Sequence, residues 1–225
     1  MLSTIRIEQK ILGKNDALAA ENRLRFDAFG TFVVTLSGSP GGGKTTLLEC
    51  LVPRLRPTVR VGVVEGDVET ERDGQRIAAL DVPVAQIVTN GTCHLNAGMV
   101  ARALERLDLS QIDLLFVENV GNLVCPAAFV LGEHERVVVA SVTEGEDKPL
   151  KYPAMFRKAD AMVLNKIDLA AFTPVDVDAF ERYARQMRAG LPVFRTSGTS
   201  GAGIEELMTW LIERRQFWRV PRLAS

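Results

Sequence analysis

The stretch "GSPGGGKT" can cradle a polyphosphate with Gly38, Ser39, Pro40, Gly41, Gly42, Gly43, Lys44 and Thr45. It follows an apolar run and opens a helical pattern, as G-x-x-x-x-G-K-[ST] requires. Glycines let successive backbone N–H groups turn toward phosphate oxygens, and the helix N-terminus adds positive potential. Lys44 can reach the β- and γ-phosphates, the Thr45 hydroxyl can ligate Mg²⁺, and Thr46 extends the cradle. The reading is a nucleotide site.

"NKID", Asn165 to Asp168, addresses the base. A carboxylate at Asp168 can accept both N1–H and N2–H of guanine, a paired contact that adenine does not offer. Asn165 would brace the loop, and the Lys166 stem would cover the base. "TSG" (Thr196, Ser197, Gly198) follows the next strand, where a second guanine-contacting loop belongs. GTP is therefore favoured over ATP, with GDP as the product of hydrolysis. Asp67 in "VVEGD" and Glu118 in "FVENVG" close apolar strands, so either can hold Mg²⁺ directly or through water. Asp73 can orient or deprotonate the attacking water, and Gly121 can offer its N–H to the γ-phosphate.

The chain has three cysteines and two histidines, and Cys93 and His94 are adjacent in "TCHL". Cys125 lies just past Gly121. In a parallel sheet the strand C-termini share one edge, so these three residues can converge there. Two thiolates and an imidazole suit Zn²⁺ or Ni²⁺. A Cys–His nucleophile is disfavoured, because adjacent residues usually point their side chains apart. Cys50, on the helix after the phosphate loop, reads as a buried structural cysteine. His134, in "LGEHERV", reads as a surface residue.

These groups need a scaffold that brings distant segments to one edge. Seven apolar, β-rich runs are spread along the chain: "TFVVTLSG", "TVRVGVVEGD", "VAQIVTN", "DLLFVEN", "RVVVASVTE", "AMVLNKIDL" and "PVFRTSG". Helical patterns follow the first at Lys44, the second near Arg72, the third through Met99 to Leu107, and the last from Ile204 to Arg214. Continuous apolar strands separated by helices predict an α/β fold, a mostly parallel P-loop sheet with helices on both faces. Residues 1–30, with Ile7, Ile11 and Leu18 spaced among charges, predict a helical segment packed on a single domain at 31–225. The net charge of −1 gives no reason to expect nucleic acid or an anionic membrane as partner. No run is long enough to span a bilayer. The first residues are too charged for a signal peptide, and three cysteines are too few for a disulfide framework. The expectation is a cytoplasmic protein with reduced thiols.

"GSPGGGKT", "EGD", "CHL", "ENVGNLVCP", "SVTEGEDKPLKYP" and "NKIDL", in that order, resemble the HypB family of nickel-handling GTPases, and "NDALAAENR" extends the likeness into the leading helix. The resemblance implies a SIMIBI-class GTPase that forms nucleotide-linked homodimers and helps insert nickel into nickel-iron hydrogenase. It implies that Cys93, His94 and Cys125 form a metal site at the dimer interface. The implied partners are HypA, a small zinc-containing nickel chaperone, and the hydrogenase large subunit. The chain departs from some relatives in lacking a histidine-rich tract and an N-terminal cysteine motif. Asn96 and Gly98 stand where relatives can carry Asp or a further His. The urease-type nickel GTPase is the related alternative; it places a proline between Cys and His and lacks "GNLVCP". A metal-storage protein and a small-molecule P-loop kinase are the readings from other classes. The few histidines oppose the first and "NKID" the second.

If Asp168 reads guanine, Asp168→Asn turns a dual acceptor into part donor and removes its charge. One lost charged contact is worth about 1.5–3 kcal/mol, so GTP affinity measured by calorimetry should fall at least about tenfold. Equal affinity in variant and parent would remove Asp168 from the base site.

Overall fold

The computed structural model describes residues 7–219, with side chains from residue 12 onward. The ends of the two expected segments (1–6 and 220–225) and the side chains of Ile7 and Ile11 lie outside the described residues. Helix α1 (Ile7–Phe29) leads into β1 (Phe32–Gly38) and α2 (Lys44–Leu55). Then come β2 (Val61–Asp67), α3 (Arg72–Ala78), β3 (Val84–Val88), α4 (Ala97–Leu104), β4 (Leu114–Glu118) and β5 (Glu135–Ser141). Two short helices, α5 (Lys148–Lys151) and α6 (Pro153–Arg157), precede β6 (Ala161–Asn165). The chain ends with α7 (Val177–Met187), β7 (Val193–Arg195) and α8 (Ile204–Arg219).

The seven strands form one sheet in the order β3-β2-β4-β1-β5-β6-β7, and every pairing is parallel. Expected as mostly parallel, the sheet is wholly so among the described residues. Side chains alternate across it. On one face Val34, Leu36, Phe116, Val139 and Val163 pack against Leu47, Leu48 and Leu51 of α2 and Ile204, Leu207 and Leu211 of α8. On the other, Val33, Leu115 and Val117 meet Phe26 of α1 and Val100 and Leu104 of α4. Farther along that second face, Val138, Ala140, Met162 and Leu164 meet Met155, Phe156, Phe180 and Ala184. Burial on both faces explains why the five inner strands read as near-continuous apolar runs, while the edge strands β3 and β7 are only partly covered. The chain passes from β1 to β2 on one side and later crosses from β4 to β5 on the other side of β1, so the sheet's order reverses around β1, where the phosphate loop begins.

Helix α1 is held by an unusual stripe. Its buried positions include Asn15, Ala19, Asn22 and Phe26, at the spacing of one helical face. Two of these are amides. Asn15 donates to the Val130 carbonyl (2.8 Å) and accepts from the Ala97 N–H (2.9 Å). Asn22 donates to the carbonyls of Ala97 (2.9 Å) and Leu131 (3.0 Å). Meanwhile Leu24 and Phe29 of the same helix are exposed. One helix thus ties the start of α4, just after Cys93 and His94, to the loop just after Cys125.

Two expectations change. His134 is buried, not on the surface: its side chain is 2% exposed, with Nδ1 accepting from the Val33 N–H (2.9 Å) and Nε2 3.0 Å from Asp27. Its ring packs beside Phe32 and Trp218, so polar flanking residues concealed an aromatic cage. Helix α7 has no counterpart among the helical patterns read above, although Asp176 caps it through the Ala179 N–H (2.9 Å). Its buried face is narrow, comprising Ala179, Phe180 and Ala184 with the Glu181 carboxylate paired to Arg185 and Arg195.

Truncating Asn22 strands two buried carbonyls, each costing about 1–3 kcal/mol. Asn22→Ala should therefore lower unfolding stability by about 2–4 kcal/mol in denaturant titrations, whereas Leu24→Ala should change it by less than about 0.5 kcal/mol. The opposite ranking would mean that α1 is held by its apolar residues.

Candidate functional site

At the C-terminal end of β1 the chain turns through Gly41 (φ 72°) and Gly43 (φ 89°) before α2 opens at Lys44. Gly43 is required twice over, by its left-handed φ and because a Cβ there would lie 2.4 Å from Asn165 Nδ2. Asn165 braces this corner. Its amide donates to the carbonyls of Gly42 (3.2 Å) and Gly43 (3.4 Å) and accepts from Gly198 N–H and the Thr196 hydroxyl, both at 3.2 Å. Lys166, itself at φ 59°, donates to Gly41 O at 2.6 Å. The "NKID" and "TSG" segments and the phosphate loop are therefore one hydrogen-bonded unit. Ser197 is fully buried, and Asp168 is exposed at the unit's rim. Lys44 Nζ folds back on Ser39 O (3.3 Å), and Lys148 Nζ reaches Ser39 Oγ (3.4 Å) from the start of α5. Gly38 serves the sheet: a Cβ there would meet Val139 O at 2.1 Å.

A cleft of about 380 Å³ runs from this loop to the ends of β2 and β4, lined by Lys44, Thr45, Glu65, Asp67, Asp73, Arg76, Glu118 and Gly121 among others. Thr45 Oγ1 donates to Glu118 Oε1 (2.8 Å), while Glu118 Oε2 is buried with no partner among the described residues. A buried orphan carboxylate oxygen beside a hydroxyl is a position that a hard cation would satisfy, so these residues fit Mg²⁺. Burial pushes the Glu118 carboxyl up to about 7, opposed by Lys44 and the Thr45 hydroxyl. Glu65 faces Glu118 in the β2–β4 register, and burial, then the Glu118 charge, push it up to about 8. Carboxylate oxygens of Glu65, Asp67 and Asp73 all lie within 4.8 Å of one another. Burial works to raise Asp67, but backbone N–H groups of Thr70 and Glu69 outweigh it and hold the group below its ordinary value. Asp73 is paired with Arg76 at 2.7 Å, and Arg76 also binds Glu49 (2.7 Å) and Thr46 Oγ1 (3.1 Å).

The expected convergence of thiols and imidazole is present. Cys93 Sγ lies 3.1 Å from Cys125 Sγ and 3.9 Å from His94 Nδ1, and the three ligand atoms lie within 4.8 Å of one another. Adjacent side chains turn to one side because this segment, entered through Gly91 (φ 95°), is neither helix nor strand. His94 stacks on Phe129, with centroids 4.1 Å apart, and burial lowers its pKa, which favours the neutral, ligand-competent ring. Cys93 is exposed and Cys125 half-buried, so an ion can reach both. Cys50 is buried on α2 with Arg54 at its sulfur (3.0 Å).

Glu65 and Arg76 join the site, and Asn119 and Asn122 brace the segments behind it, without having been singled out from the sequence. Glu65 carried a usable signal: an acid inside an apolar strand, two residues before Asp67. The asparagines carried none, because an amide in a loop is common and only its partners give it meaning.

The model of the family described as "CobW/HypB/UreG, nucleotide-binding domain" matches residues 32–195. The hydrogenase maturation factor HypB of Azotobacter vinelandii is 53% identical over 211 residues, covering 94% of this chain and 70% of that protein. A crystal structure of HypB from Helicobacter pylori in complex with nickel superposes with a TM-score of 0.86 at 38% identity, covering 90% of this chain and 95% of the other. HypB from Archaeoglobus fulgidus gives 0.84 at 37% identity, covering 90% and 99%. Two solved members share the sheet and its helices, and the matched region runs from β1 through β7. The chain belongs to the CobW/HypB/UreG family of SIMIBI-class P-loop GTPases, within its HypB hydrogenase maturation factors.

Proposed function

We propose that the chain carries nickel, or zinc, on Cys93, His94 and Cys125 and uses GTP hydrolysis to time its release toward a nickel-iron hydrogenase. The observation that supports this most is the meeting of two thiols and an imidazole, with Cys125 on the segment that continues directly from Gly121 in the wall of the nucleotide cleft. The nickel in the Helicobacter pylori structure is consistent with the same cargo here. In this reading Asp168 selects guanine, and Gly38 to Thr46 hold the phosphates with Lys44 on the β- and γ-oxygens. Thr45, Glu118 and Asp67 would hold Mg²⁺, which would neutralise phosphate charge. Gly121 donates to the γ-phosphate, and Asp73 orients the attacking water once Arg76 shifts from it. One chain supplies three ligands, one short of a closed tetrahedral site. A homodimer would pool two such sets at one interface, completing one ion or bridging two. A HypA-like zinc-containing chaperone and the hydrogenase large subunit are the partners this role requires. Among the described residues no helix is long and apolar enough to cross a membrane, which fits an expected place in the cytoplasm. The absence of a proline between Cys93 and His94 favours hydrogenase over a urease-type target.

Because thiolates dominate such sites, Cys93→Ala or Cys125→Ala should abolish stoichiometric Ni²⁺ or Zn²⁺ uptake in equilibrium dialysis while GTP affinity stays within a few-fold. Cys50→Ala should leave uptake intact. An essential Cys50 with dispensable Cys93 and Cys125 would place the metal elsewhere.

The acid cluster gives a pH signature. Glu65 and Glu118 hold protons in the folded chain up to about 8 and 7, while the unfolded chain releases them near the ordinary 4.5. Between those values the folded state binds more protons, so stability is greatest at the acid end and falls as pH rises through the window. The melting temperature of the nucleotide-free chain should drop by several degrees between pH 5 and 8, since 1 kcal/mol moves it by about 2–4 °C at this size. Mg²⁺-GDP should flatten or reverse the slope, because a cation favours the carboxylates. A melting temperature that rises steadily over this range without ligand would contradict the assignment.

A further inference from the structure

Two asparagines in "ENVGNLVCP" repeat one arrangement. Asn119 donates its backbone N–H to Leu36 O of β1 (2.9 Å), and its buried side-chain Oδ1 accepts from the Leu95 N–H (3.0 Å). Asn122 donates its backbone N–H to Gly38 O (2.9 Å), the first residue of the phosphate loop, and its side-chain Nδ2 donates to Cys93 O (3.3 Å). Each residue thus has its backbone on the nucleotide side and its amide on the Cys93–Leu95 segment. Asn122 does more. Its Oδ1 accepts from Val124 N–H (2.7 Å), shaping the turn that delivers Cys125. Immediately before it, Gly121 lies flat on the phosphate loop: a Cβ there would sit 2.8 Å from Pro40 Cα. Buried Val120 and Leu123 anchor the segment on either side, so Gly121 and Asn122 move together or not at all.

We infer that Asn122 is the positioning residue that couples the phosphate loop to the metal ligands, through its amide bond to the Cys93 carbonyl and its hold on the Cys125 turn. This rests on the metal and nucleotide roles proposed above and names the part of the chain that links them. A shift of Gly121 toward or away from a γ-phosphate is handed by Asn122 to both thiol-bearing segments, changing the spacing of the sulfurs. Coupling of this kind must act equally in both directions.

The test compares Ni²⁺ affinity, by competition with a chromogenic chelator, in GDP and in a non-hydrolysable GTP analogue. The parent should differ between the two nucleotides by about fivefold or more, the lower end of ordinary coupling. Asn122→Ala keeps the backbone bond to Gly38 and both apolar anchors. It should still bind each nucleotide within about threefold of the parent and still take up the metal, but the two Ni²⁺ affinities should become equal within about twofold. Asn122→Asp keeps an acceptor for Val124 N–H but lacks the donor to Cys93 O, and should lose the coupling likewise. A merely structural role would lower metal and nucleotide affinity without equalising the two states. If the parent is coupled and either variant is coupled as strongly, Asn122 is not the link, and the proposed function stands without it. If the parent shows no nucleotide dependence at all, both this inference and the timing role proposed for GTP fail, whereas loss of metal uptake in Cys93→Ala reports on the metal site alone.

Discussion

In a sheet whose strands all run one way, every strand's carboxyl end reaches the same edge. That constraint organises this molecule. The phosphate loop after β1, the acids closing β2 and β4, the Cys93–His94 segment after β3 and the base loop after β6 arrive together, although more than a hundred residues separate the first from the last. Helices on both faces leave that edge as the open surface where polar groups of different chemistry can gather without burial in the apolar layers. Hard oxygen donors and soft sulfur donors sit on neighbouring strands, close enough to share a wall yet distinct in the ions they prefer.

The polar corner has its own economy of contacts. Asn165 satisfies two phosphate-loop carbonyls and two groups of the "TSG" segment, so the "NKID" and "TSG" segments and the phosphate loop hold their relative placement before any ligand arrives. Across the cleft the opposite holds. Glu65 and Glu118 face one another, Lys44 offsets the burial of Glu118 only in part, and Glu118 Oε2 has no partner among the described residues. One side of the cleft is preorganised and the other is left in electrostatic tension, which a cation would relieve. Removing charge from an active-site acid therefore stabilises the empty fold while weakening what it is built to hold.

Much of this was legible from residues alone. The five inner strands announce themselves because burial on both faces demands unbroken apolar runs, and the phosphate and base motifs carry stringent spacing. The convergence of Cys93, His94 and Cys125 followed from strand direction, not from their separation in the chain. What stayed hidden shares a cause: polar side chains whose role is set by a distant backbone partner. His134 looked like a surface residue amid "GEHER", yet a main-chain N–H and Asp27 satisfy both its ring nitrogens. Asn119 and Asn122 are ordinary loop amides until Leu95 and Cys93 appear beside them. Helix α7 escaped because its buried stripe is short and includes a glutamate neutralised by arginines from two directions.

The amide stripe of α1 has a consequence for how this helix tolerates change. An apolar stripe specifies which face turns inward but not where along the axis it settles, since one greasy contact substitutes for another a turn away. Asn15 and Asn22 each meet specific carbonyls, so they set the axial position as a key sets a lock. Variation along α1 should then be inverted from the usual order. Leu24 and Phe29, the residues that look most like core, are free to drift, while two small amides that look dispensable admit almost no replacement.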